Sequence, residues 1–160
     1  MIRFLPISSV VKGDLGKIIF LSYQSLVESN PQKWSGEKVK WDKFDQEAFT
    51  NPNTIGICVL ITWVDDKVIG FASYEPNIGE IGHNCILPEF RGRGYGKKQL
   101  AKVLKILKNR GLKKVIVTTS CHPFFNPARK NYESLGFKEI KRRKGGPDPE
   151  YDLIDYEKEV

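Results

Sequence analysis

The sequence predicts a mixed α/β domain, of the α+β kind, in which a central sheet carries helices on its faces. Three observations carry this reading. Apolar residues recur at helical spacing in several stretches, β-branched apolar runs lie between them, and turn residues separate the runs at short intervals. The resulting order is β-α-α-β-β-β-α-β-α-β-β.

Each element has its own signal. Ile2 to Ile7 reads as a first strand. Asp14 can cap a helix whose apolar positions Leu15, Ile18, Ile19, Ser22 and Leu26 share one face, and Asn30-Pro31 ends it. Glu37 to Phe49 gives a second helix with Trp41, Phe44 and Ala48 inward. Asn51-Pro52-Asn53 forms a turn cluster. Ile55 to Val64 and Val68 to Tyr74, joined at Asp65-Asp66, read as an antiparallel hairpin, and Gly79 to Leu87 as a further strand. Lys97 to Asn109 is the clearest helix. Leu100, Val103, Leu104 and Leu107 point inward, while Lys98, Lys102, Lys105 and Lys108 point outward. Lys114 to Thr119 is a strand. Asn126-Pro127 reads as the cap and first position of a helix bearing Ala128, Asn131, Tyr132 and Leu135, which Gly136 stops. Phe137 to Lys144 and Tyr151 to Lys158 complete a last hairpin.

With 160 residues, residues 1–160 are expected to form one domain with its own core. No apolar run is long enough to span a bilayer, and Met1 to Pro6 lacks the apolar core of a signal peptide. The expectation is a cytoplasmic protein with no membrane partner. Cys58, Cys85 and Cys121 form no C-x-x-C pair, so neither a disulfide scaffold nor a metal site is expected. The net charge of +7 suits an anionic partner without choosing among nucleic acid, membrane and anionic ligand.

The informative segment is Arg91-Gly92-Arg93-Gly94-Tyr95-Gly96-Lys97, which follows a strand and opens a helix. Glycines let successive N–H groups point at one anion, the helix dipole adds positive potential, and Arg91, Arg93 and Lys97 add full charges. Such a turn suits a pyrophosphate. It is not a Walker A loop, because Lys98-Gln99 does not supply the required K-[ST]. Nor is it a dinucleotide fingerprint, because Lys97 replaces the third glycine.

Arg91-x-x-Gly94-x-Gly96 between a strand and a helix resembles the [Q/R]-x-x-G-x-[G/A] signature of the GNAT superfamily of acyl-CoA-dependent N-acyltransferases. Asn126-x-x-Ala128-x-x-x-Tyr132-x-x-x-Gly136-Phe137 is similar to its second motif. The resemblance covers residues 79 to 140 and is topological over the first 75. It implies a mostly antiparallel central sheet with helices on both faces and a splayed parallel strand pair at the cofactor site. It also implies transfer of an acetyl group from acetyl-coenzyme A to a primary amine, by direct attack and without a metal. The strand Glu80 to Leu87 would part from Lys114 to Thr119, so that backbone groups at Asn84, Cys85 and Ile86 meet the pantetheine arm. Gly82 would permit a bulge there. Gly92 to Lys97, Tyr95 included, would take the pyrophosphate, and Asn126 would touch the cofactor or simply cap its helix.

Aminolysis of a thioester needs a neutral amine, a stabilised oxyanion and a proton for the departing thiolate. Tyr132 is the candidate acid, against the reading of a half-buried core aromatic. Glu80 and His83 are the candidate bases. Glu80 stands roughly 13 Å along an unbulged strand from Asn84, so it needs a bulge or a water relay. On strict alternation Glu80 and His83 point to opposite faces. His122 is a further candidate base, and Cys121-His122 a rival nucleophilic pair. The acceptor side is expected among Tyr23, Glu28, Trp34 and Trp41. Two other functions fit parts of the sequence. One is an acyl-CoA-binding regulatory module without turnover. The other is a nucleic-acid binder using the lysine face of the 97–109 helix and Lys138, Lys141, Arg142, Arg143 and Lys144; a solvated helix face and a protected edge strand explain these lysines as well. The acceptor is either a small molecule or a protein amine, and edge strands would allow a homodimer.

Overall fold

The computed structural model describes residues 1–50 and 57–160. The turn expected at Asn51–Asn53 and the start of the strand expected from Ile55 lie outside the described residues. The strands are β1 (Ile2–Pro6), β2 (Cys58–Val64), β3 (Lys67–Glu75), β4 (Glu80–Ile86), β5 (Lys114–Ser120), β6 (Lys138–Arg143) and β7 (Leu153–Glu159). The helices are α1 (Asp14–Ser29), α2 (Pro31–Trp34), α3 (Glu37–Thr50), α4 (Tyr95–Asn109) and α5 (Asn126–Ser134). Among the described residues the strands form one sheet in the order β1-β2-β3-β4-β5-β7-β6. Its neighbours are antiparallel except for the parallel pair β4–β5.

Strand alternation divides the core between the two faces of the sheet. On one face Leu60, Ala72, Ile81, Val115, Val117, Ile154 and Tyr156 pack against Leu100, Val103, Leu104 and Leu107 of α4 and Tyr132 of α5. On the other, Ile61, Phe71 and Cys85 pack against Leu15, Ile18 and Ile19 of α1 and Trp41 and Ala48 of α3. The apolar stripes expected on α1 and α4 are the buried ones. Truncating a fully buried member such as Leu100 or Leu107 to alanine costs about 2–5 kcal/mol.

Two caps differ from expectation. Asp14 does not cap α1 from outside; it is the first helical residue, and its Oδ2 accepts from Val11 N at 2.8 Å. The cap position is Gly13 at φ +100°. The Gly13 and Gly16 amides donate instead to the carboxylate of Asp45 on α3, at 2.8 and 2.9 Å, and that carboxylate is buried. A carboxylate arriving through tertiary packing leaves no local sequence signal. Asn126 likewise lies inside α5 with helical backbone angles, and Phe125 holds the cap position. The Asn126 Oδ1 accepts from Arg129 one turn on. Pro31, expected only to end α1, also opens the single turn α2 (a role its fixed φ suits).

Two irregularities in β4 shape the ground beside it. The β3–β4 register passes from Ala72↔Asn84 to Tyr74↔Ile81, so Gly82 and His83 stand against Ser73 alone. This is the bulge that Gly82 was expected to permit. A Cβ on Gly82 would lie 2.6 Å from the Ser73 hydroxyl, which accepts from His83 N at 2.7 Å. The parallel pairing of β4 and β5 extends only over Glu80↔Ile116 and Ile81↔Val117. Beyond it the two strands part.

Candidate active site

A cavity of about 530 Å³ opens where β4 and β5 part. Gly82 and Asn84 to Ile86 line one side, and Thr118 to Ser120 the other. One end reaches the loop before α4, at Gly92, Gly94, Tyr95 and Gly96. The other is walled by Tyr23, Trp34, Phe124 and Phe125.

The loop end is a set of free donors. Arg91 N donates to Pro88 O, and Lys98 N donates to Gly94 O, closing the first helical bond. Among the described residues, no amide from Gly92 to Lys97 has an acceptor. Gly92 at φ +77° and Gly94 at φ +82° hold the left-handed backbone that turns these amides one way. A Cβ at either would meet open space, so conformation rather than crowding requires glycine there. Gly96 differs: its Cβ would lie 3.3 Å from Asn131 Nδ2.

The basic residues divide. Arg93 and Lys97 are exposed beside the loop, with the Arg93 guanidinium 5.8 Å from the Phe90 ring centroid. Arg91, expected to offer its charge to a phosphate, is used otherwise. Its Nε donates to Ile86 O at 3.1 Å, its Nη2 donates to Ser22 O, and the guanidinium stacks 5.7 Å from the Phe124 centroid. It ties the end of β4 to α1.

Tyr132 of α5 lines the cavity, buried beside Phe137 and Tyr156 at centroid distances of 5.8 Å. Loss of water pushes its phenol well above the ordinary range, and Cys85 and Tyr156 nearby add to the effect. The hydroxyl therefore stays protonated at neutral pH. Cys85, opposite, has its thiol pushed up to about 12, chiefly by burial. Tyr23 stands beside that thiol and is raised as well, first by desolvation and then by Cys85.

His83 is not in the cavity. The bulge turns its ring onto the α3 face, 4.6 Å from the Phe44 centroid and 6.1 Å from that of Phe71. Burial lowers its pKa to about 4. The ring packs there, away from the residues that line the cavity, so the geometry does not favour His83 as the base. His122 does not line the cavity either. Its Nδ1 accepts from Phe124 N at 3.0 Å, which commits that nitrogen to the turn before α5. Glu80 also lies outside the lining, at the closed end of the β4–β5 pair. Its carboxyl is raised by partial desolvation first, then by Glu75 and Asp155.

Of the residues expected on the acceptor side, Tyr23 and Trp34 line the cavity. Trp41 is buried behind Tyr23, with ring centroids 5.4 Å apart, and Glu28 is exposed and bonded to Gln24. Asn126 is exposed outside the cavity, whereas Asn131, one stripe position further along α5, lines it. Sequence reasoning had placed Asn131 only on the apolar stripe. Ser22, read only as a position on the α1 stripe, and Thr118, Phe124 and Phe125, given no site role, line the cavity as well. Lys33 of α2 donates to Asp148 at 2.9 Å and lies 3.5 Å from Glu150, fixing the aromatic wall to the segment before β7.

The profile of the acetyltransferase (GNAT) family matches residues 21–137, most of the chain. The chain belongs to the GNAT acetyltransferase family. It is 26% identical over 160 residues to an uncharacterized N-acetyltransferase of Methanocaldococcus jannaschii, a match covering 91% of this chain and 66% of the relative. It is 33% identical over 82 residues to the [ribosomal protein bS18]-alanine N-acetyltransferase of Haemophilus influenzae, covering 50% of this chain and 54% of the relative. The chain thus spans a little under two thirds of the first curated relative and about half of the second. Among solved structures, the paia N-acetyltransferase of Thermoplasma acidophilum in complex with coenzyme A shares the fold. Its TM-score is 0.75 at 19% identity, over 100% of this chain and 99% of that one. The expected family and its parted parallel strands agree with these findings. No group of three or more metal-ligating side chains occurs among the described residues, and no described helix is long and apolar enough to cross a membrane.

Proposed function

We propose that this protein transfers an acetyl group from acetyl-coenzyme A to a primary amine by direct attack. The observation that carries the proposal is the run of amides from Gly92 to Lys97 without acceptors, beside a cavity that Tyr132 also lines. These amides suit the pyrophosphate of coenzyme A, with Arg93 and Lys97 beside it. The unpaired edges of β4 and β5 suit the amide-bearing pantetheine arm, with backbone groups at Asn84, Cys85 and Ile86 in reach.

Tyr132 acts as the proton donor to the departing sulfur. Its raised pKa keeps the hydroxyl protonated at neutral pH, so that it can donate a hydrogen bond to the negative charge forming on the sulfur. Direct attack is favoured over a cysteine acyl-enzyme because Cys85, the cysteine in the cavity lining, holds its proton up to a pH of about 12. Cys121 is outside that lining. Glu80 is the base that remains, acting through water, and its raised carboxyl brings it nearer the range of a useful base.

The acceptor end favours an amine with an apolar or aromatic frame. Tyr23, Trp34, Phe124 and Phe125 wall it, and Arg91 is the one charged side chain among the described residues that line the cavity. A multiply cationic amine would find no carboxylate there. The test is release of free thiol from acetyl-coenzyme A with a panel of amines. Turnover is expected with phenylalaninamide or an apolar N-terminal peptide in preference to spermidine. Binding of coenzyme A without turnover on any amine would favour the regulatory-module reading instead.

A further inference from the structure

A buried polar chain runs from the middle of the sheet to the cavity. Thr62 on β2 and Gln99 on α4 are both fully buried. The Thr62 hydroxyl donates to Gln99 Oε1 at 2.5 Å, and Gln99 Nε2 donates to Asn84 Oδ1 at 2.7 Å. Asn84 lines the cavity. A hydroxyl and two amides could form the same chain in the reverse sense, so its direction needs an anchor. The Cys85 carbonyl supplies one: it lies 3.4 Å from Gln99 Nε2 and can only accept. The end of Gln99 facing β4 is therefore the donor, and Asn84 must present its oxygen to it. The Asn84 NH2 is then left over, and among the described residues nothing accepts from it.

We infer that Gln99 is a positioning residue that holds the Asn84 side chain with its NH2 toward the cavity, where Nδ2 donates to a carbonyl oxygen of the thioester arm. The inference rests on the proposed use of acetyl-coenzyme A. It adds a side-chain donor, and the residue that aims it, to the backbone contacts already assigned at Asn84. A carbonyl in this cavity is either an amide of the pantetheine arm or the acetyl group itself, and both need a donor.

The test uses Asn84→Asp and the double variant T62V/Q99M, with melting temperature measured on each. Aspartate keeps the shape and can still accept from Gln99, but it turns the group facing the cavity from a donor into an acceptor. A drop of about tenfold or more in kcat/KM for acetyl-coenzyme A is expected at unchanged melting temperature. T62V/Q99M replaces both ends of the buried bond by apolar groups and frees the Asn84 amide to turn, so a smaller drop is expected. Asn84→Asp should then cost less in that background than alone, a coupling that two independent packing defects would not show. A weaker Kd for coenzyme A itself places the carbonyl in the pantetheine arm; a loss confined to kcat places it on the acetyl group. Folded Asn84→Asp with wild-type kcat/KM and Kd, or strictly additive effects, overturns the inference. Wild-type protein that neither binds coenzyme A nor turns over acetyl-coenzyme A overturns the functional proposal as well.

Discussion

Packing the half-buried His83 ring against Phe44 and Phe71 makes the stability of this protein depend on pH. The folded ring titrates at about 4, and an unfolded histidine at about 6.5. Between these values the unfolded chain binds the proton and the folded one does not, so stability falls as pH falls. Above about pH 7 the neutral ring is present in both states and the effect is absent. Each pH unit across the gap is worth about 1.4 kcal/mol, so the full loss below pH 4 is about 3 kcal/mol. At pH 5 it is already about 2 kcal/mol. Urea unfolding of wild type and His83→Gln at pH 7.5 and pH 5 isolates this contribution, because all other titrating groups are common to both proteins. The variant is expected to lose about 2 kcal/mol less than wild type over that interval. Equal losses in the two proteins would refute the reasoning and return His83 to the candidate bases.

Other consequences arise from the same geometry. Tyr132→Phe removes the proton donor while leaving the ring, so kcat should fall about 10²-fold or more with the Kd for coenzyme A unchanged, as steady-state kinetics and calorimetry would show. Gly94→Ala puts a side-chain-bearing residue at φ +82°, a cost of about 1–2 kcal/mol; a loop that relaxes in the free protein pays it again on binding, so coenzyme A affinity should fall by about 5- to 30-fold. Lys33→Ala leaves the buried Asp148 carboxylate without its ammonium partner. It should lower the urea midpoint at pH 7 and raise KM for the amine, because α2 carries Trp34.

Much of the fold was legible because its elements carry strong local patterns. The stripe on α4 and the apolar runs of β2 and β3 each follow one period, and glycine with proline marks the ends. The glycine-rich turn before α4 was legible for the same reason: its conformation is set by consecutive residues. The features without a sequence signal depend on residues brought together from afar. Asp45 caps α1 across 29 and 32 residues, Gln99 reaches Asn84 across 15, and Arg91 turns away from the loop to bind a carbonyl 69 residues earlier. Gly82 marks the bulge in the sequence, but the effect of that bulge on His83 shows only in the structure. Shifting the alternation by one residue moves that ring from the expected site into the packing under α3. Asn126 and Asn131 show a similar limit: the motif indicates the helix, and only the helix's orientation decides which asparagine meets the cavity.

In the proposed function, the amides of Gly92 to Lys97 hold the diphosphate of coenzyme A. Amide proton and nitrogen shifts recorded during a coenzyme A titration test it most directly, because a hydrogen bond to a phosphate oxygen moves an amide proton downfield. The largest downfield shifts are expected within residues 92–97, and none there when pantetheine replaces coenzyme A. Saturating coenzyme A that leaves these amides in place while shifting others would contradict it.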